Sequence, residues 1–306
     1  MDQDDTAIRL EAFRFLAEQT RLHGDVLPLS ILRTGFPWGG EMVPIMNGAQ
    51  GIFKPRVLRD VPLSIMTAPQ IAGKQRPYDD GFGHDDLLVY RYQGNDPDYR
   101  DNRGLRLARE RHTPLIYLSG MIPGRYVPEW PVYIVGDDPA ALAFTVDIRD
   151  RESINDASVV ADAVGSGISR RYGTRNVRTR LHQNAFRERV LSAYAVRCAI
   201  CRLRHPELLD AAHILADGHP RGEAVVPNGL SLCKLHHAAF DENIVGVSPD
   251  LTVAIRPDVL DEEDGPMLLH GLKEFHDHKL HVPRRPALQP NREFLEERFA
   301  EFSKSA

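Results

Sequence analysis

Two short pairs of metal-ligand residues constrain this chain more than any other feature. Cys198 and Cys201 form a C-x2-C pair, and Cys233 and His236 form a C-x2-H pair further along. Each pair can turn two ligands inward, and four such ligands suit tetrahedral Zn2+. A site closed in this way is structural: it ties two distant segments together and leaves the chemistry to other residues. The chain has only 3 cysteines, so they cannot all pair as disulfides. With no secretory signal at the N-terminus, a reducing, cytoplasmic setting is expected.

Residues suited to hydrolytic chemistry lie between and after these pairs. Leu208 to Ile214 is a short apolar run with His213 near its end, of a length that suits a strand. Asn228-Gly229 is a turn signal, and Leu230-Ser231-Leu232 leads from it into the second ligand pair. Leu235 to Asp241 holds no glycine or proline and reads as the start of a helix. His237 and Asp241 stand four apart there, so they share one face and could hold one cation.

The order AHI … NGLxLC … HxxFD resembles the HNH endonucleases, of the ββα-metal fold. The resemblance implies that His213 deprotonates the attacking water. It implies that Asn228 holds the connecting loop and orients that histidine, and that His237 binds a catalytic divalent cation, Mg2+ or Mn2+. The chemistry is consistent on its own terms. Phosphodiester hydrolysis needs a base close to the water and a cation to neutralise charge on the phosphorane and the leaving oxygen. Imidazole is the side chain best suited to act as a base near neutral pH. One position departs from the pattern. Many members place a second metal ligand directly before the first histidine, where this chain has Ala212. Asp210 or Asp241 could complete the cation site instead.

A chain of 306 residues suits two domains of ordinary size. With 42% hydrophobic and 26% charged residues it is a globular composition, and no apolar run is long enough for a transmembrane helix. The formal net charge of −5 excludes a protein basic all over, but nucleic-acid binding needs only one positive face. Ala7 to Leu22 has the spacing of an amphipathic helix, with Ile8, Phe13, Leu16 and Ala17 near one face and Gly24 past its end. Short strands are expected at 51–55, 63–67, 87–94, 115–118, 126–127, 132–135 and 143–148, with a helix at 102–111. Many close-spaced strands and few helices suggest a β-barrel or sandwich in the first half.

GIFKPR, YDDG, YRYQG, the N-R-x-L-R run and the Pro-Val-Tyr-Ile strand look like a SET and RING associated (SRA) domain, as in bacterial enzymes that fuse it to an HNH domain. SRA domains are PUA-like barrels that flip a modified cytosine out of duplex DNA. Such flipping needs a pocket that replaces the lost stacking and pairing. The resemblance places the two stacking rings at Tyr78 and Tyr92, and the acid that reads the base edge at Asp80 or Asp79.

Asp147 to Ser169 is polar and ends in Gly165-Ser166-Gly167, which reads as a linker. Arg170, Arg171, Arg175, Arg178 and Arg180 follow with no acid among them, and guanidinium forks of this kind match phosphate oxygens. Phe186, Val190 and Tyr194 recur every four residues on a helix expected over 181–197, packed on the metal core. A hairpin around Ser248-Pro249-Asp250 and a terminal helix over 291–302 complete the chain.

The expected architecture is therefore α+β: a β-rich SRA-like barrel over 1–150, a linker with a basic stretch over 151–180, and a ββα-metal HNH domain with a structural zinc over 181–306. The expected function is modification-dependent restriction. The enzyme would read 5-methyl- or 5-hydroxymethylcytosine in double-stranded DNA and cut the backbone nearby. A double-strand cut needs two active sites or two visits, so a homodimer is expected. Two other functions fit the same residues: a modified-DNA-binding module whose HNH fold is only structural, and a nonspecific nuclease whose first half merely holds DNA.

Overall fold

The computed structural model describes residues 3–48, 50–69, 81–82, 87–148 and 167–305, apart from the side chains of 3, 81–82 and 167–176. The chain divides into two units, Met1–Asn184 and Ala185–Ala306. Among the described residues no helix is long and apolar enough to cross a membrane.

The first unit opens on α1, Gln3–His23. Its buried face is Ile8, Ala12, Phe13 and Leu16, packed with Leu27, Leu32, Phe36, Ile116 and Leu118. Ala17, expected on that face, is exposed, one position beyond the stripe. Gly24 ends the helix at φ +79°, its N–H donating to the Thr20 carbonyl at 2.9 Å. Arg9 lies within the buried face at 1% exposure. Its guanidinium donates to the carbonyls of Val61, Pro62 and Pro114 and pairs with Asp5, which satisfies a charge that burial would otherwise penalise heavily.

The chain then lays down β1 (Leu27–Pro28), α2 (Leu29–Thr34), β2 (Phe36–Trp38), β3 (Glu41–Val43), β4 (Ile52–Phe53), β5 (Ser64–Thr67), β6 (Gly81–Phe82) and β7 (Leu88–Arg91). After α3 (Arg100–Glu110) come β8 (Leu115–Ile122), β9 (Arg125–Asp138) and β10 (Ala143–Ile148). Eight of these strands form one mixed sheet in the order β4-β5-β8-β9-β10-β7-β6, with β1 also paired to β9. Among the described residues only β5 and β8 run parallel. The separate strands expected at 126–127 and 132–135 are one 14-residue strand, β9. Leu115 faces Val132 while Tyr117 faces Glu129, so β9 carries an extra residue there. That irregularity absorbs the cis Trp130–Pro131 bond, whose proline has no N–H for the ladder.

Helix α4, Gly167–Ala193, contributes residues to both units. The basic stretch expected as part of a linker is thus helical from Gly167, as arginine's good helix propensity and the absence of proline permit.

The second unit is built on β11 (Leu209–His213), β12 (Gly229–Cys233) and α5 (Lys234–Asp241), followed by the pair β13 (Val245–Val247) and β14 (Val253–Ile255). Three more helices follow: α6 (Pro257–Asp261), α7 (Pro266–Gly271) and α8 (Arg292–Ser305). β11 and β12 pair antiparallel from Leu209↔Cys233 to His213↔Gly229. The core beneath them joins Phe186, Val190 and Tyr194 of α4 to Ala212, Leu230, Leu232, Phe240 and Leu295. Strand, connecting loop, strand and helix follow one another here in the ββα order.

Candidate active site and metal centre

The four expected zinc ligands converge. Ligand atoms of Cys198, Cys201, Cys233 and His236 all lie within 4.8 Å of one another, and three of the four residues are buried. The first pair is held by a tight turn in which the Arg202 N–H donates to the Cys198 carbonyl at 3.0 Å. The Ala199 N–H donates to the Ser231 carbonyl at 2.6 Å, tying that turn to β12. Cys233 immediately precedes α5, and His236 lies in its first turn. His236 Nδ1 faces Cys233 Sγ at 3.1 Å and Cys198 Sγ at 3.5 Å, while Nε2 lies 2.9 Å from the Gly271 carbonyl. A carbonyl can only accept, so Nε2 carries the proton and Nδ1 keeps its lone pair for a metal.

The donor set fits Zn2+ on chemical grounds. Clustered thiols cannot all ionise by themselves. Hydrogen bonding with Cys198 and Cys233 pushes the Cys201 thiol far up, while hydrogen bonding with Cys198 and Cys201 pulls Cys233 far down. A divalent cation at the centre removes that conflict, because it binds every sulfur as thiolate.

His213 closes β11, and its imidazole stacks on Phe186 with ring centroids 4.0 Å apart and planes 19° from parallel. Its Nε2 is buried and has no hydrogen-bond partner among the described residues. The connecting loop leaves directly from His213 and is clamped by Asn228, which is 0% exposed. Asn228 Oδ1 accepts the Leu215 N–H at 2.9 Å, and its Nδ2 donates to the carbonyls of Leu215 and Glu223, each at 3.0 Å. The Asn228 carbonyl also accepts the Ile214 N–H at 2.9 Å. Asn228→Ala strands three hydrogen-bond partners, the two on Leu215 buried and the Glu223 carbonyl partly so, so a loss of about 3 kcal/mol is expected in denaturant unfolding of the full chain. An unchanged midpoint would contradict the clamp.

His237 lies on α5 between two carboxylates. Its Nε2 is 3.3 Å from Asp241 Oδ2, and its Nδ1 is 3.9 Å from Asp210 Oδ2. Both candidate second ligands therefore stand beside the same imidazole. Arg187, which sequence reasoning did not single out, holds Asp210 from the other side at 3.5 Å and donates to the carbonyls of Pro206 and Leu209. Among the described residues, only the cysteine cluster brings three or more donors within 4.8 Å of one another. The Asp210 side chain is half-exposed and that of Asp241 exposed.

Burial holds the His213 imidazole below the usual 6.5, with Asp217 pulling it up, His237 pushing it down and Asp241 pulling it up. A base must be neutral to accept a proton. A depressed value keeps it neutral at lower pH, and a cation beside His237 would act in the same direction. The acidic limb of a cleavage profile set by His213 is therefore expected below pH 6.5, and a limb centred above it would exclude His213 as the limiting base.

The sequence-derived DNA-contact residues fare differently. Tyr78, Asp79 and Asp80 lie outside the described residues. Tyr92 is 1% exposed, with its ring 4.5 Å from Phe144 and its hydroxyl donating to Asp137. A ring that stacks on a base needs an open face, so the stacking role expected of Tyr92 gives way to a packed one. Arg170, Arg171 and Arg175 have side chains outside the description, and Arg178 is exposed. Arg180, expected on a phosphate, instead makes a two-pronged ion pair with fully buried Glu129 at 3.1 and 3.0 Å. Desolvation of a lone carboxylate would be costly, and that cost commits this arginine to the fold.

Residues 198–248 match the family model described as HNH endonuclease. No curated protein matches the chain. Among solved structures, a "Modification dependent TagI restriction endonuclease" is similar at 18% identity, covering 93% of this chain and 89% of that chain, with a TM-score of 0.30. The matched segment contains the metal cluster, the ββα element, His213, Asn228 and His237, so the second unit carries an HNH endonuclease domain and the chain is a DNA endonuclease.

Proposed function

We propose that this DNA endonuclease is modification-dependent: the first unit reads a modified cytosine, and the second hydrolyses a phosphodiester bond nearby. What supports the reader is the bonding among segments that resemble an SRA domain. The Tyr90 hydroxyl of YRYQG donates to the carbonyl of Gly51, the first residue of GIFKPR, at 2.7 Å. Asn102 of the N-R-x-L-R run accepts the Gln93 N–H at 2.8 Å and donates back to the Gln93 carbonyl. Arg106 of the same run pairs with Asp137 at 2.8 Å, and Asp137 also holds the Tyr92 hydroxyl. Three segments scattered in sequence thus form one bonded framework. In this reading the framework is the wall of a PUA-like barrel, Tyr78 stacks on the flipped base, Asp80 or Asp79 reads its edge, and Tyr92 supports the pocket from within.

In the second unit His213 takes the proton from the attacking water, and Asn228 holds the loop that orients it. His237, with Asp241 or Asp210, would hold Mg2+ or Mn2+. Such an ion stabilises the charge that builds on the phosphoryl oxygens. Cys198, Cys201, Cys233 and His236 would hold Zn2+. Arg178, with Arg170, Arg171 and Arg175, would meet backbone phosphates. The enzyme would act as a homodimer, one site for each strand, in the cytoplasm against foreign DNA carrying 5-methyl- or 5-hydroxymethylcytosine.

Digestion of one plasmid prepared with and without cytosine modification tests the reader. Cutting confined to the modified copy is expected. Equal cutting would leave a nonspecific nuclease, and retention of modified DNA without cutting would leave a binding module.

A further inference from the structure

We infer that Phe186 and Gly229 form a positioning shelf for the His213 imidazole, so that helix α4 supplies part of the catalytic geometry from outside the ββα element. The inference rests on the reading of His213 as the base. Three independent contacts meet at one place. Phe186, 2% exposed, stacks on the His213 ring at 4.0 Å. Gly229 is the direct cross-strand partner of His213. A methyl group added at Gly229 would lie 2.5 Å from Val190 Cγ2 and 2.9 Å from Phe186 Cζ, closer than real side chains approach. The Tyr194 hydroxyl donates to the Gly229 carbonyl at 3.3 Å.

The stripe Phe186, Val190, Tyr194, one residue per helical turn, therefore closes onto the single residue opposite the base. Glycine is needed at 229 for space: without a side chain, the strand admits the phenyl ring under the imidazole. The consequence for the reaction is geometric. His213 can turn about its χ angles unless something flat lies against it. Phe186 covers one face of the ring and fixes its plane. Asn228 fixes the backbone on the loop side of the same histidine through its hydrogen bonds to Leu215. Backbone and ring are thus held by different residues, one on the loop and one on α4. Phe186 does not touch substrate in this scheme; it acts through His213 and is a positioning residue.

The test uses the full zinc-loaded chain with Mn2+ and a 5-methylcytosine plasmid, comparing the parent with Phe186→Leu and Gly229→Ala. Phe186→Leu keeps an apolar side chain and removes the flat face. DNA binding should stay within about twofold while cleavage falls about 100-fold, because a small misplacement of a catalytic group carries a cost of that order. In histidine-labelled protein, the His213 ring-proton resonances should be shielded in the parent and move downfield in Phe186→Leu. Loss of the ring current moves that signal by itself; a packing role alone would not lower cleavage while DNA binding, zinc content and unfolding midpoint stay unchanged. Gly229→Ala should lower cleavage in the same direction. If Phe186→Leu loses its zinc, Phe186→Met, closer in volume, carries the comparison. Unmoved His213 resonances, or cleavage within about twofold of the parent despite moved resonances, would overturn the shelf. His213→Ala that cuts like the parent would instead overturn the base and leave the ring shift of the parent intact, so the two failures are distinct.

Discussion

Removing the metal from the cysteine cluster, or replacing Cys201 with serine, is expected to unfold the Ala185–Ala306 unit. The reason is a comparison of magnitudes. Structural zinc contributes about 10–16 kcal/mol of apparent binding free energy, as much as the whole stability of an ordinary domain, about 5–15 kcal/mol. The cluster also joins the turn at Cys198–Cys201 to the end of β12 and the start of α5. His236 carries the tie one step further through its bond to the Gly271 carbonyl at the end of α7. The expected results are one zinc per chain by elemental analysis, loss of helical dichroism on chelation, and recovery on adding Zn2+ back. A chelated protein with unchanged dichroism and thermal midpoint would contradict a folding role for the cluster.

His237→Ala should do the opposite. His237 is adjacent to His236 in sequence yet points away from the cluster, toward Asp210 and Asp241, with 24% of its side chain exposed. Truncating a partly exposed side chain outside the core costs little stability, typically within about 0.5 kcal/mol. Losing the histidine that would hold the catalytic cation removes several kcal/mol of transition-state stabilisation, so cleavage should fall about 1,000-fold. The variant should keep its zinc and its unfolding midpoint. A His237→Ala protein that sheds zinc, or one that cuts normally, would break the division between two adjacent histidines. The same substitution made at His236 should give the first phenotype.

Much of the second unit is legible in the sequence because its determinants are local. C-x2-C and C-x2-H pairs carry their geometry within a turn, and the β11–β12–α5 order follows from an apolar run, an Asn-Gly turn and a helix without breakers. What was not legible depends on contacts between distant segments. Nothing around Arg9 announces that carbonyls of residues 61, 62 and 114 will surround its guanidinium. The regular spacing of Phe186, Val190 and Tyr194 identifies a buried stripe but not that its first ring lies on His213. Arg180 looks like its four basic neighbours until Glu129 is placed opposite it. Tyr92 reads as a strand aromatic, and only the position of Asp137 on β9 shows that its hydroxyl turns inward. Pro131 lies within β9, which continues through it because a one-residue irregularity against β8 takes up the missing donor.

The first unit is a bonded framework, and the second sets His213, Asn228 and His237 beside a Cys3His cluster. The most direct test of His213 as the base of the second unit is digestion of a cytosine-methylated plasmid with Mg2+ or Mn2+ by zinc-loaded parent protein and by His213→Ala. The account predicts that the parent cuts and that His213→Ala, with its zinc and fold retained, falls by about 100-fold or more. Equal cutting by the two proteins would contradict it.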